Sequence, residues 1–282
     1  MGTDRIRHML LSLIVAVAAL APAGCDRSRS APRPERHADV AASNSMLECA
    51  AKDLLGEATP VLRLAEPGMC PGHFDLRPSQ VEQLRHTRVL LRLDFQKSLD
   101  SKLASAADEG LHIAEVRVSG GLSEPDSYLQ ACRQTADALI AAGLLDRAAA
   151  DLRLAVIRKR VQQTAARCLE QVEGLRGAPV VASTHQQAFC KWLGLRPVAE
   201  FSAADSARAS QIERAIRQGQ QAGAMLVIAN RPEGRRLADA LAERLGARVA
   251  VFGNFPSLDA GHASFDDLVE ANVRALLEAA KP

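Results

Sequence analysis

The chain has 282 residues, which is enough for one large domain or two ordinary ones. Hydrophobic residues make up 48% and charged residues 24%, the proportions of a globular protein with a full core. A net charge of +2 with dispersed basic residues argues against nucleic-acid binding. Aromatic residues make up only 3%, which argues against a surface that stacks on sugars or on the bases of single-stranded nucleic acid.

The start of the chain predicts export. Arg5 and Arg7 precede the apolar stretch 9–21, which is too short to span a bilayer but typical of a secretory signal. Disulfides persist in the oxidising cell envelope, so the cysteines that follow the predicted signal could form disulfides. These are Cys49, Cys70, Cys132, Cys168 and Cys190. An odd number cannot all pair within one chain, so we expect at least one to be free, buried or bound to metal, with the pairing left open.

The predicted signal ends in a sequence that resembles a bacterial lipobox. Ala23-Gly24-Cys25 makes Cys25 the expected lipidation site, although cleavage near Ala23 as an ordinary signal peptide is the alternative. Asp26 resembles the signal that keeps lipoproteins in the inner membrane. We therefore expect a signal peptide over residues 1–25, a flexible tether over 26–38, and a periplasmic protein anchored to the inner membrane through lipid.

From residue 39 onward, short β-like segments alternate with helical patterns, which indicates parallel sheets. Strands are predicted at Asp39–Ala42, Pro60–Leu64, Arg88–Leu93, Ile113–Val118, Val180–Ser183, Val198–Phe201, Met225–Ala229 and Val249–Phe252. Helices are predicted at Ser43–Leu55, Ser79–His86, Pro125–Ala142, Gln186–Leu193, Ser206–Gln221, Pro232–Leu245 and Phe265–Ala279. The expected fold class is α/β, with two lobes over residues 39–145 and 178–282.

One long helical pattern, Asp146–Leu175, connects the two lobes within residues 146–177. Spacings of three and four predict a single apolar stripe along it. The stripe consists of Leu152, Val156, Ile157, Val161, Ala165, Cys168, Leu169, Val172 and Leu175. We predict a solvated face for the basic triplet 158–160. No Pro or Gly interrupts the pattern before Gly174, so the connector should be stiff.

Candidate metal ligands occur in both predicted lobes. Cys70 and His73 stand three residues apart in a loop rich in Pro and Gly, which is the spacing of metal ligands, although Cys70 in a disulfide is an equal alternative. His185 directly follows a predicted strand. Ligands of α/β folds bind at the carboxyl ends of strands, so we expect the histidines to face one cleft. Thiolate with imidazole favours Zn(II) or copper over Mn(II).

Together these features resemble the zinc- and manganese-binding proteins of bacterial ABC importers. The resemblance rests on the lipoprotein signal, two lobes on a long helix, His73 just before Leu-Arg-Pro-Ser, and the segment 180–195 with His185. It implies a monomeric solute-binding protein that holds a transition-metal ion between its lobes and delivers it to a permease. The ion is expected to be Zn(II), with Mn(II) or copper as alternatives.

Two of the ligands implied by this resemblance do not match. His73 and His185 stand where the family has histidines, but the segment 119–126 contains no His where a second one is expected. Asn254 stands where the family has a late acidic residue. Cys70, Glu124, Asp126 and Asn254 are therefore candidates for the remaining ligands.

Two other functions are less consistent with the sequence. A binding protein for haem or a siderophore would share the long-helix architecture, but aromatic residues are few. A metal-dependent or cysteine hydrolase would use His185 and Cys190, but their spacing alone does not bring them together. Neither His-Glu-x-x-His nor Gly-x-Ser-x-Gly occurs, so we expect no enzymatic activity.

Overall fold

The computed structural model describes residues 38–65, 75–104, 107, 109–203, 207–257 and 264–281. The predictions for Cys25, Cys70 and His73 fall outside these residues. Within the described ranges, no helix combines the length and the apolar character that crossing a membrane requires.

Two parallel four-stranded sheets form the centres of the two lobes. The first has the strand order β2-β1-β3-β4 and the second the order β6-β5-β7-β8. The strands are β1 (Val40–Ala42), β2 (Val61–Arg63), β3 (Val89–Leu93), β4 (His112–Val116), β5 (Pro179–Ser183), β6 (Arg196–Phe201), β7 (Leu226–Asn230) and β8 (Arg248–Phe252). The predicted α/β class with two lobes is confirmed, and each strand begins and ends within two residues of its prediction.

Helices connect the strands and cover the sheets. They are α1 (Ser45–Leu55), α2 (Pro78–Arg85), α3 (Ser98–Lys102), α4 (Pro125–Ala141), α5 (Arg147–Gln171), α6 (Gln187–Trp192), α7 (Ala209–Ala222), α8 (Arg236–Leu245) and α9 (Phe265–Ala280). The short helix α3 is missing from the sequence prediction because five residues are too few to show a helical period. Helix α8 begins later than predicted because Gly234 adopts a φ of +74°, outside the right-handed helical region.

The parallel strands bring their following loops to common edges. Strands β3 and β7 are buried at every position, as expected where both faces of a parallel sheet are covered. The loops after β5, β7 and β8 leave the carboxyl edge of the second sheet. The loop after β4 in the first lobe reaches this edge, because the Ser123 hydroxyl donates to the Gly253 carbonyl after β8 at 3.0 Å.

One hydrophobic core runs through both lobes. It includes Val40 and Leu91 of the first sheet, Ile157 of α5, and Val180 and Leu276 of the second lobe. Two smaller clusters are separate from it, one in each lobe. Because separating the lobes would expose this shared apolar surface to water, the core favours a fixed arrangement.

The long helix α5 has a narrower buried face than the sequence predicts. Ile157, Val161 and Cys168 of the predicted stripe are buried. Leu152 is 71% exposed and Val156 is 66% exposed, so the prediction for these two is wrong. A helix turns by about 100° per residue, which places Val156 to one side of the line of buried residues even though it is apolar.

The basic triplet 158–160 is only partly on a solvated face, because Arg160 forms an ionic bridge. Its Nη atoms donate to Asp53 of α1 at 2.8 and 2.6 Å, and its Nε lies 2.8 Å from Oδ2 of Asp266 in α9. Tyr128 also donates to Asp53, at 2.6 Å, and its ring stacks on Phe265 with centroids 4.1 Å apart. The prediction of a solvated Arg160 is therefore wrong, since this side chain connects both lobes.

Candidate metal centre

His185 lies at the carboxyl end of β5, in a 3₁₀ turn over Thr184–Gln186. The Ser183 hydroxyl accepts from the His185 backbone N at 3.4 Å, and the Thr184 hydroxyl donates to the Phe201 carbonyl at 3.2 Å. These contacts hold the turn while leaving the His185 side chain 62% exposed. The strand therefore ends by presenting an open imidazole at the edge where ligands of parallel sheets bind.

A carboxylate that the sequence analysis did not select faces this imidazole. Glu233 follows β7 in a 3₁₀ turn that begins at Arg231, and its Oε1 lies 3.3 Å from His185 Nε2. Its Oε2 accepts from the Ser183 hydroxyl at 2.8 Å, and the side chain is only 13% exposed. An available signal was an acidic residue shortly after β7, which is the neighbour of β5 in the sheet.

A side chain at either glycine of the loop after β4, where the family resemblance implies a histidine, would require neighbouring groups to shift. Gly120 has a φ of +99°, and a Cβ there would lie 2.5 Å from a carboxylate oxygen of Glu124. A Cβ at Gly121 would lie 3.1 Å from the Cβ of Ala188 in α6. Glu124 therefore fills the position beside this loop, whereas Asp126 is exposed in the first turn of α4.

Asn254, the residue in place of the late acid, is engaged by other amides. It is 7% exposed, and its Oδ1 accepts from Gln186 Nε2 at 2.6 Å. The same nitrogen donates to Asn230 Oδ1 at 3.0 Å. Because its oxygen already accepts this short hydrogen bond, Asn254 would have to break or share that bond to bind an ion.

The described residues supply only part of a metal site. Among them, no three His, Cys, Asp or Glu side chains converge closely enough to hold an ion. His185 is brought together with Glu233, whereas the predicted ligands Cys70 and His73 lie in the segment 66–74 that is not described.

The buried thiols do not fit a nucleophilic site. Cys132, Cys168 and Cys190 are free and buried, which for Cys168 agrees with its place in the predicted apolar stripe. Burial raises the pKa of Cys190 to about 12, so its thiol stays protonated near neutral pH. A His185–Cys190 hydrolase site would need an accessible thiolate, and Cys190 has 0% exposure.

A family model described as zinc-uptake complex component A, periplasmic, matches residues 40–279. The chain belongs to this family. Membership confirms the resemblance inferred from the sequence, and with it a periplasmic metal-ion-binding, solute-binding protein of an ABC import system.

Solved structures of family-like proteins share the fold at low sequence identity. The Mn-bound periplasmic metal binding protein from Candidatus Liberibacter asiaticus superposes with a TM-score of 0.73 at 12% identity, covering 85% of this chain and 98% of that one. Its Cd-bound form gives 0.72 at 13% identity, with coverage of 85% and 98%. A mutant of the laminin-binding adhesin from Streptococcus agalactiae gives 0.72 at 14% identity, covering 86% and 99%. No curated protein matches the sequence.

Proposed function

We propose that this protein captures one transition-metal ion, Zn(II) in first place, between its lobes and delivers it to the permease of an ABC importer. The observation that carries the proposal is the open imidazole of His185 at the carboxyl edge of the second sheet. The family match over residues 40–279 supports it, as does the loop after β4, which brings the first lobe to the same edge.

The proposed ligands are His73, His185 and Cys70. Glu124, which lies beside Gly120 and Gly121 in the loop after β4, is a further candidate ligand. A thiolate and two imidazoles favour Zn(II) or copper, whereas added carboxylate oxygens make Mn(II) acceptable. Solved structures with this fold are described as Mn-bound and as Cd-bound, so the fold accommodates these two ions. We place Zn(II) first because the proposed set is dominated by nitrogen and sulfur.

Metal content and affinity test the proposal. Protein purified from the periplasm should contain about one equivalent of metal by elemental analysis, and titration calorimetry should favour Zn(II) over Mn(II). His73→Ala and His185→Ala should each weaken binding by more than about 100-fold, since loss of outer partners alone costs about 10–100-fold. His112→Ala is the matched control, because His112 is exposed at the amino end of β4. Unchanged affinity in both test variants would refute the proposal.

We further propose that Cys25 carries the lipid and that the mature monomer is tethered to the inner membrane by residues 26–38. One acyl chain binds a membrane only marginally, so stable anchoring requires the several chains of a bacterial lipoprotein. Cys25→Ser should move the protein from the membrane fraction to the soluble periplasmic fraction or block its maturation. Soluble wild-type protein that begins near Asp26 would contradict this.

A further inference from the structure

We propose that Glu233 is a metal ligand beside His185, and that it supplies the acid which the family resemblance places after β8. This inference rests on the proposed function, because it concerns the same metal site. It uses only described residues: the two facing side chains and Ser183 behind them.

The distance between the two side chains suits a shared ion. Two ligand atoms that each lie about 2.0–2.1 Å from a tetrahedral Zn(II) are about 3.3–3.4 Å apart. His185 Nε2 and Glu233 Oε1 are 3.3 Å apart. The separation is therefore the one expected for two ligand atoms of a single Zn(II) ion, and both loops leave the same edge of the sheet.

The carboxylate of Glu233 is held in place by Ser183, and among the described residues it faces an imidazole rather than a Lys or Arg. Only 13% of the side chain is exposed, and Ser183 donates to Oε2, which leaves Oε1 turned towards the imidazole. In the described part of the chain no Lys or Arg forms an ion pair with it, and nearby Arg235 pairs with Asp239 at 2.8 Å. A largely buried carboxylate is costly without a positive partner, and a bound cation would be that partner.

The usual acid position is closed in this chain. After β8 the chain has the neutral Asn254 in place of an acid, and its Oδ1 already accepts a hydrogen bond from Gln186. Strand β7 is paired with β8, with Asn230 opposite Phe252, and the two following loops start side by side. The acidic ligand has thus moved to the adjacent strand. A carboxylate in the site also raises its affinity for harder ions such as Mn(II).

Glu233→Gln tests the inference, because glutamine has the same shape and can still accept from Ser183. In the otherwise intact mature protein, Zn(II) affinity should fall by more than about 100-fold, beyond the 10–100-fold expected for an outer partner. Mn(II) affinity should fall further than Zn(II) affinity. The absorption bands of Co(II)-loaded protein should also change in energy and intensity, which a purely structural role would not produce.

The controls separate this inference from the proposed function. Glu243→Gln removes an exposed carboxylate from α8 and should leave affinity unchanged. Glu233→Asp keeps the charge and should retain part of the metal affinity. It replaces Glu233→Gln as the test if the glutamine variant has a lowered melting temperature. If His185→Ala weakens binding while Glu233→Gln stays within twofold of wild type, the inference is overturned and the proposed function survives. If wild-type protein binds neither Zn(II) nor Mn(II), both fail.

Discussion

Arg160 allows a direct test of how the long helix joins the lobes. Its side chain is 39% exposed, but the carboxylates it pairs with are largely buried, Asp53 at 10% and Asp266 at 14% side-chain exposure. Arg160→Met keeps an unbranched stem of similar length while it removes the charge. The variant therefore leaves two buried carboxylates without their cation, one in each lobe.

The expected loss follows from these exposures. Removing one partner of a fully buried pair costs about 3–5 kcal/mol. Two features reduce the expected loss to about 2–3 kcal/mol: the arginine is partly exposed, and the Tyr128 hydroxyl still donates to Asp53 in the variant. At about 2–4 °C per kcal/mol for a domain of this size, the melting temperature should fall by about 5–10 °C.

Urea and thermal unfolding followed by circular dichroism measure this loss. Arg158→Met is the matched control, since Arg158 is exposed on the same helix and should change stability by less than about 0.5 kcal/mol. Adding Asp53→Asn to Arg160→Met should recover part of the loss, because it neutralises one orphaned carboxylate. If Arg160→Met is as stable as Arg158→Met, the ionic bridge does not join the lobes energetically.

Three further predictions concern the core and the connector. Asn272→Ala should destabilise the fold by about 1–3 kcal/mol, because it leaves the buried Gly253 N, which now donates to Asn272 at 2.8 Å, without an acceptor. The Gly253 carbonyl keeps its hydrogen bond from Ser123. Urea unfolding measures the loss, and a loss below about 0.5 kcal/mol, as for an ordinary surface substitution, would contradict the prediction. Cys190 should resist thiol reagents until the protein unfolds, because burial raises its pKa to about 12. Since an unfolded thiol loses its proton near pH 8.5, this group should also favour unfolding progressively above that pH, and Cys190→Ala should lessen the slope. Metal loading should leave the small-angle scattering curve almost unchanged, because α5 contains no Pro or Gly and the core is continuous across it; a large contraction on loading would show that the lobes close as a hinge.

Local patterns in the sequence were sufficient for the fold class and for every strand. The apolar run Leu226–Ala229 of β7 is buried on both faces of a parallel sheet, and this burial leaves a continuous apolar signal in the chain. The position of His185 was also predictable, since a strand that ends in Ser183 must be followed by a loop at the carboxyl edge. Metal binding followed from these residues only through their resemblance to a family.

Tertiary structure alone decided which distant groups meet. Glu233 faces His185 because β5 and β7 are neighbours, and Ser183 bonds it across 50 positions of sequence. Arg160 reaches Asp53 across 107 positions, which no charge pattern along α5 reveals. Helical spacing records which side chains are apolar, whereas packing decides which are covered, so Val156 was misassigned. The sequence thus determined the strands, the longer helices and their order, while the partners of each charge depended on how the sheets and the long helix pack.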